Sequence, residues 1–513
     1  MVLKDEILVR HVHKYPDKVA VVFEGQRFTF RELNDRVNSL TQALMDLGVN
    51  KGDRIAMVAD NCHQYLEAAL AAVKGGMVIT TVNPTLSQRE LSYLINNSEA
   101  NTVVFSQNYA DLVNALRDEL ELVKNFIVIG KLEGTRSYEE LIASYPAKEP
   151  QVKVEDDDLY MLASSGGTTG LPKQVMHTYR STVAMVFSVM PVFGMRHEDI
   201  SLFGGPLFWG PLIPWQGFPH LYMGCTLVIP KELTPHCILK AIEEEKVTDL
   251  FLGTALVPAL ATSPDVNKYD HSSLRRIVLG GTPLSMERFK KAINVFGNIF
   301  AEFYGATEIA LVTCLAPEEI VLEGPEGVRV NSCGRESLSA EFKIVDEQDN
   351  EVPLGRVGEV IAKGKHVMAG YWKAPKATEE AMRGGYFHTG DLGKVDEEGY
   401  LYLVGRKKDV ITSQGKLVSP SEVEDIIYRH SSVLEAVVIG VPDEQLGEAV
   451  KAVVVLRPEA RATTAEIVSL CRDYLPPHAI PRSVEFVDNL PKTAFGKILR
   501  RELKDKYIER IAQ

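Results

Sequence analysis

Hydrophobic positions in the first 330 residues follow two periods, one typical of strands and one typical of helices. Short runs rich in β-branched and aromatic residues occur at 54–58, 102–105, 125–129 and 276–279. Amphipathic stretches such as 32–47 accompany them, and this alternation predicts a parallel sheet covered by helices. The run at 276–279 leads into Gly280-Gly281-Thr282-Pro283. It predicts a turn at the carboxyl end of a strand, where open α/β sheets bind ligands.

The pattern changes after about residue 330 to short strands separated by glycine and aspartate, as at 341–346 and 358–362. This change predicts a distorted β-barrel subdomain over about 330–407. Beyond residue 409, a helix and two strands are predicted at 421–428, 435–439 and 451–456. We therefore predict an α/β protein with a large N-terminal part and a small C-terminal α/β domain that begins at about residue 409.

The segment 202–230 contains no Asp, Glu, Lys or Arg, and its length alone would suffice to cross a bilayer. Pro206, Pro211, Pro214 and Pro219 lie within it and would interrupt a membrane helix repeatedly. We therefore predict no transmembrane segment. The segment is expected to form buried strands and loops that wall an apolar pocket.

Composition limits the classes of function. The chain has 513 residues, of which 45% are hydrophobic and 24% charged, as in ordinary globular proteins. This length predicts at least two domains. The net charge of −13 argues against a nucleic-acid binder and requires any anion site to be made locally by lysines, backbone amides or a metal ion.

The six cysteines show no CxxC spacing, so we expect reduced thiols and no zinc site. The first residues include acids where a signal peptide would have basic residues and a long apolar run. The expected location is therefore the cytoplasm.

The stretch 164–173, Ser-Ser-Gly-Gly-Thr-Thr-Gly-Leu-Pro-Lys, contains four hydroxyl side chains, three glycines and one lysine. Converging backbone N–H groups, hydroxyls and a lysine are donors suited to a polyphosphate. The common NTPase loop has a different order, since Lys173 here follows Pro172 and precedes Gln174. The candidate phosphate ligands are Ser165, Gly166, Thr168, Thr169, Gly170 and Lys173. The alternative is a flexible surface turn.

Four further motifs follow this loop. They are Tyr304-Gly305-Ala306-Thr307-Glu308, Thr389-Gly390-Asp391, Gly405-Arg406-Lys407-Lys408-Asp409 and Pro491-Lys492-Thr493-Ala494-Phe495-Gly496-Lys497. In this order and spacing, the five motifs resemble the adenylate-forming superfamily of acyl-CoA synthetases, aryl-CoA ligases, beetle luciferases and nonribosomal peptide adenylation domains. The resemblance extends from about residue 28 to residue 501. It implies an N-terminal domain, residues 1–407, with two α/β subdomains and a distorted β-barrel. It also implies a mobile α+β C-terminal domain, residues 408–513, hinged at Lys408.

The resemblance also implies the reaction. ATP transfers AMP to a carboxylic acid and releases pyrophosphate, and the acyl group then passes to CoA. Lys497 is implied to bridge the carboxylate and the α-phosphate, where a cation stabilises the accumulating negative charge. Thr307 would bond the α-phosphate, and Glu308 would hold Mg²⁺. The alternatives are a solvated Lys497 in a basic C-terminal helix and a surface helix cap at 307–308.

Nucleotide recognition is implied for a second group of residues. Asp391 would hold the ribose hydroxyls and Arg406 would contact the same sugar, although either could instead belong to a structural ion pair. The adenine pocket is implied at Gly280, Gly281, Thr282, Tyr304 and Gly305. Glycine-rich strand ends also occur for steric reasons, and buried tyrosines are usually core residues.

Thioester formation requires the lysine to leave the site, because it would block the approaching thiol. The resemblance therefore implies rotation of the C-terminal domain about Lys408. Gly415 and Lys416 would then lie near CoA, with Gly415 letting the pantetheine pass close to the backbone.

The residues implied to form the acyl pocket are Phe208, Trp209, Gly305 and Ala306. Gly305 stands where acetyl-CoA synthetases have a tryptophan, which implies room for an acid larger than acetate. No acidic residue occurs at 206–218, where amino-acid-activating domains carry an aspartate. A medium-chain fatty acid and an aromatic or alicyclic acid both remain open. Three positions depart from the common pattern of the superfamily: Gln174, Trp209 and Phe495. Trp209 suits the pocket and the core equally.

Two other functions remain open. One is a free-standing adenylation enzyme that loads a carrier protein, and the other is a non-catalytic nucleotide-binding homologue. The presence of Lys497, Glu308 and Asp391 argues against the second. The expected partners are a carboxylic acid, ATP and CoA, with no nucleic acid, and the chain is a candidate homodimer.

Overall fold

The structure is a computed structural model that describes residues 3, 6–164, 171–254, 256–281, 286–322, 329–443, 445–492 and 498–512. The first strands are β1 Val19–Phe23, β2 Gln26–Thr29, β3 Arg54–Val58, β4 Val78–Thr81, β5 Ala100–Ser106, β6 Asn125–Ile129, β7 Arg136–Ser137, β8 Leu159–Ser164 and β9 Gln174–Thr178. The next are β10 Ile200–Gly204, β11 Thr226–Ile229, β12 Asp249–Gly253, β13 Arg276–Gly280, β14 Phe300–Tyr304, β15 Thr313–Leu315 and β16 Arg335–Glu336. The last are β17 Ala340–Val345, β18 Gly358–Gly364, β19 Gly370–Tyr371, β20 Phe387–Val395, β21 Leu401–Arg406, β22 Ile411–Ser413, β23 Lys416–Val418, β24 Val433–Asp443, β25 Gly447–Leu456 and β26 Ser483–Phe486.

The helices accompany these strands along the chain. The first eight are α1 Val9–Lys14, α2 Phe30–Asp46, α3 His63–Gly75, α4 Gln88–Asn97, α5 Ala110–Leu116, α6 Tyr138–Ser144, α7 Tyr179–Phe193 and α8 Phe218–Met223. The others are α9 Pro235–Glu245, α10 Leu256–Ala261, α11 Met286–Phe296, α12 Pro375–Ala381, α13 Pro420–Ile427, α14 Thr464–Tyr474 and α15 Arg500–Ala512.

Two large sheets form the α/β part of the molecule. The first has the strand order β19-β9-β8-β4-β3-β5-β6-β7, in which β9 and β19 are antiparallel additions to parallel strands. The second has the order β16-β15-β14-β13-β12-β10-β11-β1-β2 and is parallel from β14 to β1. The predicted alternation of parallel strands and helices is therefore confirmed, and the two sheets correspond to the two predicted α/β subdomains.

A shared hydrophobic core joins the two sheets. It contains Met57 and Ile79 from the first sheet together with Val278 and Phe303 from the second. Every residue of α3 is buried, because α2, β1 and β4 enclose this helix. Its many alanines allow the surrounding elements to approach closely, so the two sheets form one continuous body.

The strands after residue 330 form a four-stranded antiparallel sheet of order β17-β18-β20-β21. Within the part of the chain that the structure describes, β17 and β21 are not paired with each other. The predicted barrel is thus an open sheet, since closure would require these edge strands to meet.

The C-terminal domain has its own sheet and its own core. Strands β23, β22, β25 and β24 are joined in that order, and β26 runs parallel to β25. The helices α13 and α15 pack on β24, and α14 packs on β26. Its two apolar clusters contain only residues from Ile411 onward, as a separately folded α+β domain requires.

The apolar segment 202–230 is buried, but the prediction that it forms only strands and loops was wrong. A π-helical turn, Ile213–Gly217, and α8 lie between β10 and β11. Pro214 and Pro219 each lie in the first turn of a helix, where the missing N–H is not needed. Among the described residues, no helix combines the length and the apolar character that a membrane crossing would need.

Candidate active site

Three of the predicted nucleotide-binding residues meet where β14, β20 and β21 come together. The hydroxyl of Tyr304 donates to Oδ2 of Asp391 at 2.8 Å, and Nε of Arg406 lies 2.8 Å from Oδ1. Asp391 and Arg406 are directly opposite each other in the β20–β21 ladder. We call Tyr304, Asp391 and Arg406 the Asp391 cluster.

The Asp391 cluster has the properties of a site for a polar, uncharged group. Burial raises the pKa of the Tyr304 hydroxyl well above its usual value, and the nearby Asp391 carboxylate adds to this, so the phenol remains a donor. Each carboxylate oxygen has two lone pairs, so Asp391 retains acceptor capacity beyond these two contacts. The ion pair that the sequence analysis gave as the alternative role of these residues is present.

The segment that carries Thr307 and Glu308 is a turn between β14 and β15. No helix begins at these described residues, so the predicted alternative of a helix cap was wrong. The hydroxyl of Tyr371 donates to Oε1 of Glu308 at 3.0 Å. Nζ of Lys173 lies 4.8 Å from the centroid of the same tyrosine ring. We call Lys173, Glu308 and Tyr371 the Glu308 cluster.

Tyr371 is absent from the sequence prediction. Its strand β19 consists of two residues, which is too short to show a periodic signal. Its only local signal was a tyrosine after a glycine, which is a weak indication. The pairing of β19 with β9 brings this tyrosine next to the end of the predicted phosphate loop.

Gly280 and Tyr304 end neighbouring parallel strands, β13 and β14. The carboxyl ends of parallel strands are the usual ligand-binding edge of an open sheet, as predicted for 280–283. Gly281 follows directly. Several predicted residues lie outside the described part of the chain: Ser165, Gly166, Thr168, Thr169, Gly170, Thr282 and Lys497.

The interpretation of Gly305 changes with the structure. A Cβ placed on this residue would overlap the backbone carbonyl oxygen of Ala310. Glycine is therefore required here because two backbone segments approach closely. This contact explains why residue 305 has no side chain. The glycine therefore no longer supports the inference that the pocket has room for a large acid.

Aromatic residues form a continuous wall beside this strand edge. Trp209 is half-buried and stacks on Phe251, with 5.4 Å between ring centroids and 22° between the planes. Trp215 contacts Phe251 at 5.4 Å and Phe303 at 4.5 Å. The sequence prediction missed Trp215, Phe251 and Phe303, and the strands of the two phenylalanines, β12 and β14, are not among the predicted strands.

The other predicted acyl-pocket residues, Phe208 and Ala306, are half-buried and pack against the same core. The departure at Gln174 has a structural explanation. Its amide nitrogen donates to the carbonyl oxygen of Leu94 at 3.2 Å, and its oxygen accepts from Asn97 at 2.7 Å. Gln174 therefore fastens β9 to α4. Phe495 lies outside the described residues.

The predicted CoA and hinge residues are in the C-terminal part. Lys408 lies between β21 and β22, and burial lowers its pKa. Gly415 has φ +71° at the tip of the β22–β23 hairpin, a conformation that favours glycine. Among the described residues, no hydrogen bond or ion pair connects Gly415 or Lys416 with the Asp391 cluster.

Contacts between the domains involve Arg288 of α11. Its guanidinium lies 4.0 Å from the centroid of the Tyr428 ring, and it donates to the carbonyl oxygen of Leu434 at 2.9 Å. Burial raises the pKa of nearby Asp425 to about 6, although Arg429 and Arg288 act in the opposite direction. These contacts hold the C-terminal domain against the second sheet.

Glu308 is the candidate ligand for Mg²⁺. The described residues contain no group of three or more His, Cys, Asp or Glu side chains that could form a metal cage. Mg²⁺ commonly uses one or two carboxylates together with substrate phosphates, so a single glutamate suits this ion without a protein cage.

Two family models match successive parts of the chain. Residues 8–372 match the family model described as AMP-binding enzyme, and residues 422–497 match the AMP-binding enzyme C-terminal domain. The chain belongs to this adenylate-forming family, in its acyl-CoA synthetase branch, and is an acid–CoA ligase by class.

Two curated relatives represent different substrates. A long-chain-fatty-acid–CoA ligase of Escherichia coli O6:H1 is 32% identical, with 98% of this chain and 94% of the relative covered. A feruloyl-CoA synthase of an Amycolatopsis species is 32% identical, with 97% and 98% covered. The family therefore includes both fatty-acid and aryl-CoA ligases similar to this chain.

Solved structures have the same fold over nearly the whole chain. The anthranilate CoA ligase AuaEII in complex with anthranoyl-AMP matches with TM-score 0.91 and 26% identity, covering 99% of this chain and 97% of that one. ATP-bound MatB from Rhodopseudomonas palustris matches with TM-score 0.89 and 26% identity, with 99% of both chains covered. Apo MatB scores 0.78 at the same identity and coverage.

Proposed function

We propose that the chain activates a carboxylic acid with ATP, releasing pyrophosphate, and then transfers the acyl group to CoA to give acyl-CoA and AMP. The observation that carries this proposal is the position of the Asp391 and Glu308 clusters. Tyr304 of the first and Glu308 of the second are four residues apart on one strand end and the turn that follows it. A nucleotide can therefore contact one cluster with its sugar and the other with its phosphates.

The Asp391 cluster would bind the nucleoside part. Asp391 accepts from the sugar hydroxyls, while Arg406 and Tyr304 hold its carboxylate in place through the 2.8 Å contacts. Gly280 and Gly281 would approach the adenine through their backbone at the neighbouring strand end. Fixed carboxylate geometry orients the sugar, and with it the α-phosphate, toward the reacting acid.

The Glu308 cluster would bind the phosphate part. Glu308 would hold Mg²⁺, which supplies positive charge for the phosphate oxygens. Lys173, at the end of the predicted phosphate loop, adds a cation on the Tyr371 ring face. Thr307 would donate its hydroxyl to the α-phosphate, and Lys497 would supply the remaining charge in the transition state.

The arrangement of domains supports assigning this structure to the adenylation step. The fold matches ATP-bound MatB better than apo MatB, with TM-scores of 0.89 and 0.78. Arg288 stabilises this arrangement through Tyr428 and Leu434. We propose that the contacts of Arg288 break when the C-terminal domain rotates about Lys408 and brings Gly415 and Lys416 to CoA.

The aromatic wall favours a compact acid with an apolar remainder. Trp215, Phe251 and Phe303 are buried and contact one another, so they fill the interior behind Trp209. A long alkyl chain would have to displace these rings, whereas a flat ring can stack on Trp209. We therefore propose an aromatic or alicyclic acid ahead of a medium-chain fatty acid.

The test is a panel of aromatic, alicyclic and medium-chain acids, incubated with ATP, Mg²⁺ and CoA and scored for AMP and thioester. We expect acid-dependent formation of both products, with aromatic acids giving the higher kcat/KM. Acid-dependent ATP–pyrophosphate exchange without a CoA thioester would instead indicate an enzyme that loads a carrier protein. Absence of exchange with every acid would contradict the proposal.

A further inference from the structure

The turn that carries Thr307 and Glu308 has no regular secondary structure of its own, yet three hydrogen bonds hold it. Nε2 of His177 lies 2.8 Å from the carbonyl oxygen of Thr307. The backbone N–H of Met368 donates to the carbonyl oxygen of Glu308 at 2.8 Å, and Tyr371 donates to its side chain at 3.0 Å. Both backbone carbonyls and the carboxylate of this turn are therefore restrained from outside.

The two side chains in this set come from adjacent strands. His177 belongs to β9, which begins directly after Lys173, and Tyr371 belongs to β19. Tyr371 pairs with Val175 in the antiparallel ladder that joins these strands. β9 is also paired with β8 along its whole length. A rigid strand pair thus connects the end of the predicted phosphate loop with the predicted metal ligand.

His177 is a fixed neutral donor. It is fully buried, and burial lowers its pKa to about 4, so the imidazole is uncharged at neutral pH. A carbonyl oxygen only accepts, so the ring proton must be on Nε2. Nδ1 is buried without a hydrogen-bond partner among the described residues. The side chain therefore has one strong interaction, and that interaction is with Thr307.

Tyr371 directs the Glu308 carboxylate. A tyrosine hydroxyl is protonated at neutral pH, so the hydroxyl of Tyr371 donates to this carboxylate. The contact occupies Oε1, and no described residue donates a hydrogen bond to Oε2. The terminal torsion of a glutamate rotates easily by itself. The phenol removes this freedom and leaves one oxygen available.

We propose that Tyr371 and His177 are positioning residues for cation binding: Tyr371 orients Glu308 so that Oε2 faces a divalent cation, and His177 holds the Thr307 backbone beside it. The proposal rests on the proposed function, since the cation is the one that accompanies the nucleotide phosphates. Partners that orient a metal ligand commonly change metal affinity about 10- to 100-fold when they are removed.

The primary test uses Tyr371→Phe, which keeps the ring against the core and beside Lys173 and removes only the hydroxyl. Mn²⁺ replaces Mg²⁺ as the probe, and its affinity for the enzyme with a non-hydrolysable ATP analogue is measured by electron paramagnetic resonance. We expect about 10-fold weaker Mn²⁺ binding. AMP binding without metal should be unchanged. The Mg²⁺ concentration for half-maximal ATP–pyrophosphate exchange should rise by a similar factor.

The matched control is Tyr145→Phe. Tyr145 also donates to a carboxylate, Asp46, at 2.6 Å, but it lies on the surface at the end of α6. This variant should bind Mn²⁺ like the unmodified enzyme. Equal Mn²⁺ affinity in Tyr371→Phe and Tyr145→Phe would overturn the role of Tyr371, as would an equal loss of metal-free AMP binding.

His177 is tested with two variants. His177→Ala removes the donor to Thr307, whereas His177→Gln keeps an N–H donor of similar reach. We expect about a 10-fold lower kcat of adenylation for the alanine variant with little change in the KM of the acid, and partial recovery in the glutamine variant. Equal losses in both, at matched melting temperatures, would refute a positioning role.

Failure of this proposal and failure of the proposed function can be distinguished. If no acid supports ATP–pyrophosphate exchange, the proposed function is wrong, but Mn²⁺ binding with the ATP analogue still reports on Tyr371. If exchange occurs and Mn²⁺ affinity does not respond to Tyr371→Phe, only the positioning proposal is wrong.

Discussion

The Asp391 and Glu308 clusters contain the same three kinds of group: a tyrosine hydroxyl, a carboxylate and a cation. In the Asp391 cluster the cation is on the carboxylate itself, with Nε of Arg406 2.8 Å from Oδ1. In the Glu308 cluster the cation is on the ring, with Lys173 4.8 Å from the centroid of Tyr371. The difference is where the positive charge is placed.

This placement determines what each carboxylate can bind. Arg406 neutralises Asp391, which then offers lone pairs to uncharged hydroxyls. No described residue forms an ion pair with Glu308, so its charge is available to a metal ion. We infer that the two clusters form different sites because Arg406 contacts the Asp391 carboxylate, whereas Lys173 lies on the Tyr371 ring. The first would be a sugar site and the second a cation site. Four predictions test this comparison.

The largest effect is expected for Lys497, which would supply the charge that neither cluster provides at the reacting phosphorus. Lys497→Ala should lower the rate of adenylate formation by about 100- to 1,000-fold, because a transition-state donor is lost. Thioester formation from pre-made acyl-AMP and CoA should persist. Equal loss in the two half-reactions would contradict this assignment. Lys492→Ala is the control, since this lysine pairs with Glu435 in the C-terminal domain.

Asp391→Asn should weaken AMP binding by about 10- to 100-fold in isothermal titration, because Arg406 and Tyr304 lose a charged partner in a buried setting. Mn²⁺ binding through Glu308 should change far less. Asp349→Asn provides the control, since Asp349 pairs with Arg383 at 3.2 Å on the surface. The comparison of the clusters fails if Asp391→Asn affects metal and AMP binding equally.

Lowering the pH should destabilise the folded protein through His177, which holds the Thr307 backbone beside Glu308. Because burial lowers the pKa of His177 to about 4, the folded protein resists protonation that the unfolded chain accepts below pH 6.5. Stability is thus lost as the pH falls from 6.5 toward 4 and is unaffected above this window. Between pH 7 and pH 5 this contribution is about 1 to 2 kcal/mol.

The measurement is urea unfolding of the unmodified protein and of His177→Gln at pH 7 and pH 5. The glutamine variant should lose about 1 to 2 kcal/mol less of its free energy of unfolding over this range. Identical losses in the two proteins would show that His177 does not titrate as described.

The smallest effect is expected for Tyr304→Phe. Removing one hydrogen bond to Asp391, which keeps its contact with Arg406, should weaken AMP binding by about fivefold. Mn²⁺ affinity should be unchanged, the reverse of the expectation for Tyr371→Phe. If both variants change the same quantity, the two clusters are not functionally separate.

Much of the α/β framework was predictable from local sequence. The strands at 54–58 and 125–129 have the predicted bounds, and each consists of one polar residue followed by four apolar ones. The helix predicted from residue 32 begins at Phe30, because Thr29 and Glu32 form reciprocal capping hydrogen bonds. Such signals depend on neighbouring residues alone, so strand bounds and helix starts of this kind can be predicted without knowledge of the fold.

Long-range features were not predictable in the same way. The prolines of 202–230 indicated breaks, yet Pro214 and Pro219 lie in first helical turns, which is decided by the surrounding sheets. The absence of a side chain at Gly305 suggested space, whereas the carbonyl of Ala310 occupies that direction. Tyr371 carried only a weak local signal, and Trp215, Phe251 and Phe303 were missed, because the residues that they contact are distant in the chain.

The sequence by itself determined the order of the motifs, the kinds of donor they contain and the alternation of strands and helices, because these follow from residue type and spacing. The tertiary structure decided which groups meet: Tyr304 with Asp391 across 87 positions, and Tyr371 with Glu308 across 63. Hydrogen bonds act over about 3 Å in space. Only the packing of the sheets therefore converts separate motifs into two clusters of different charge.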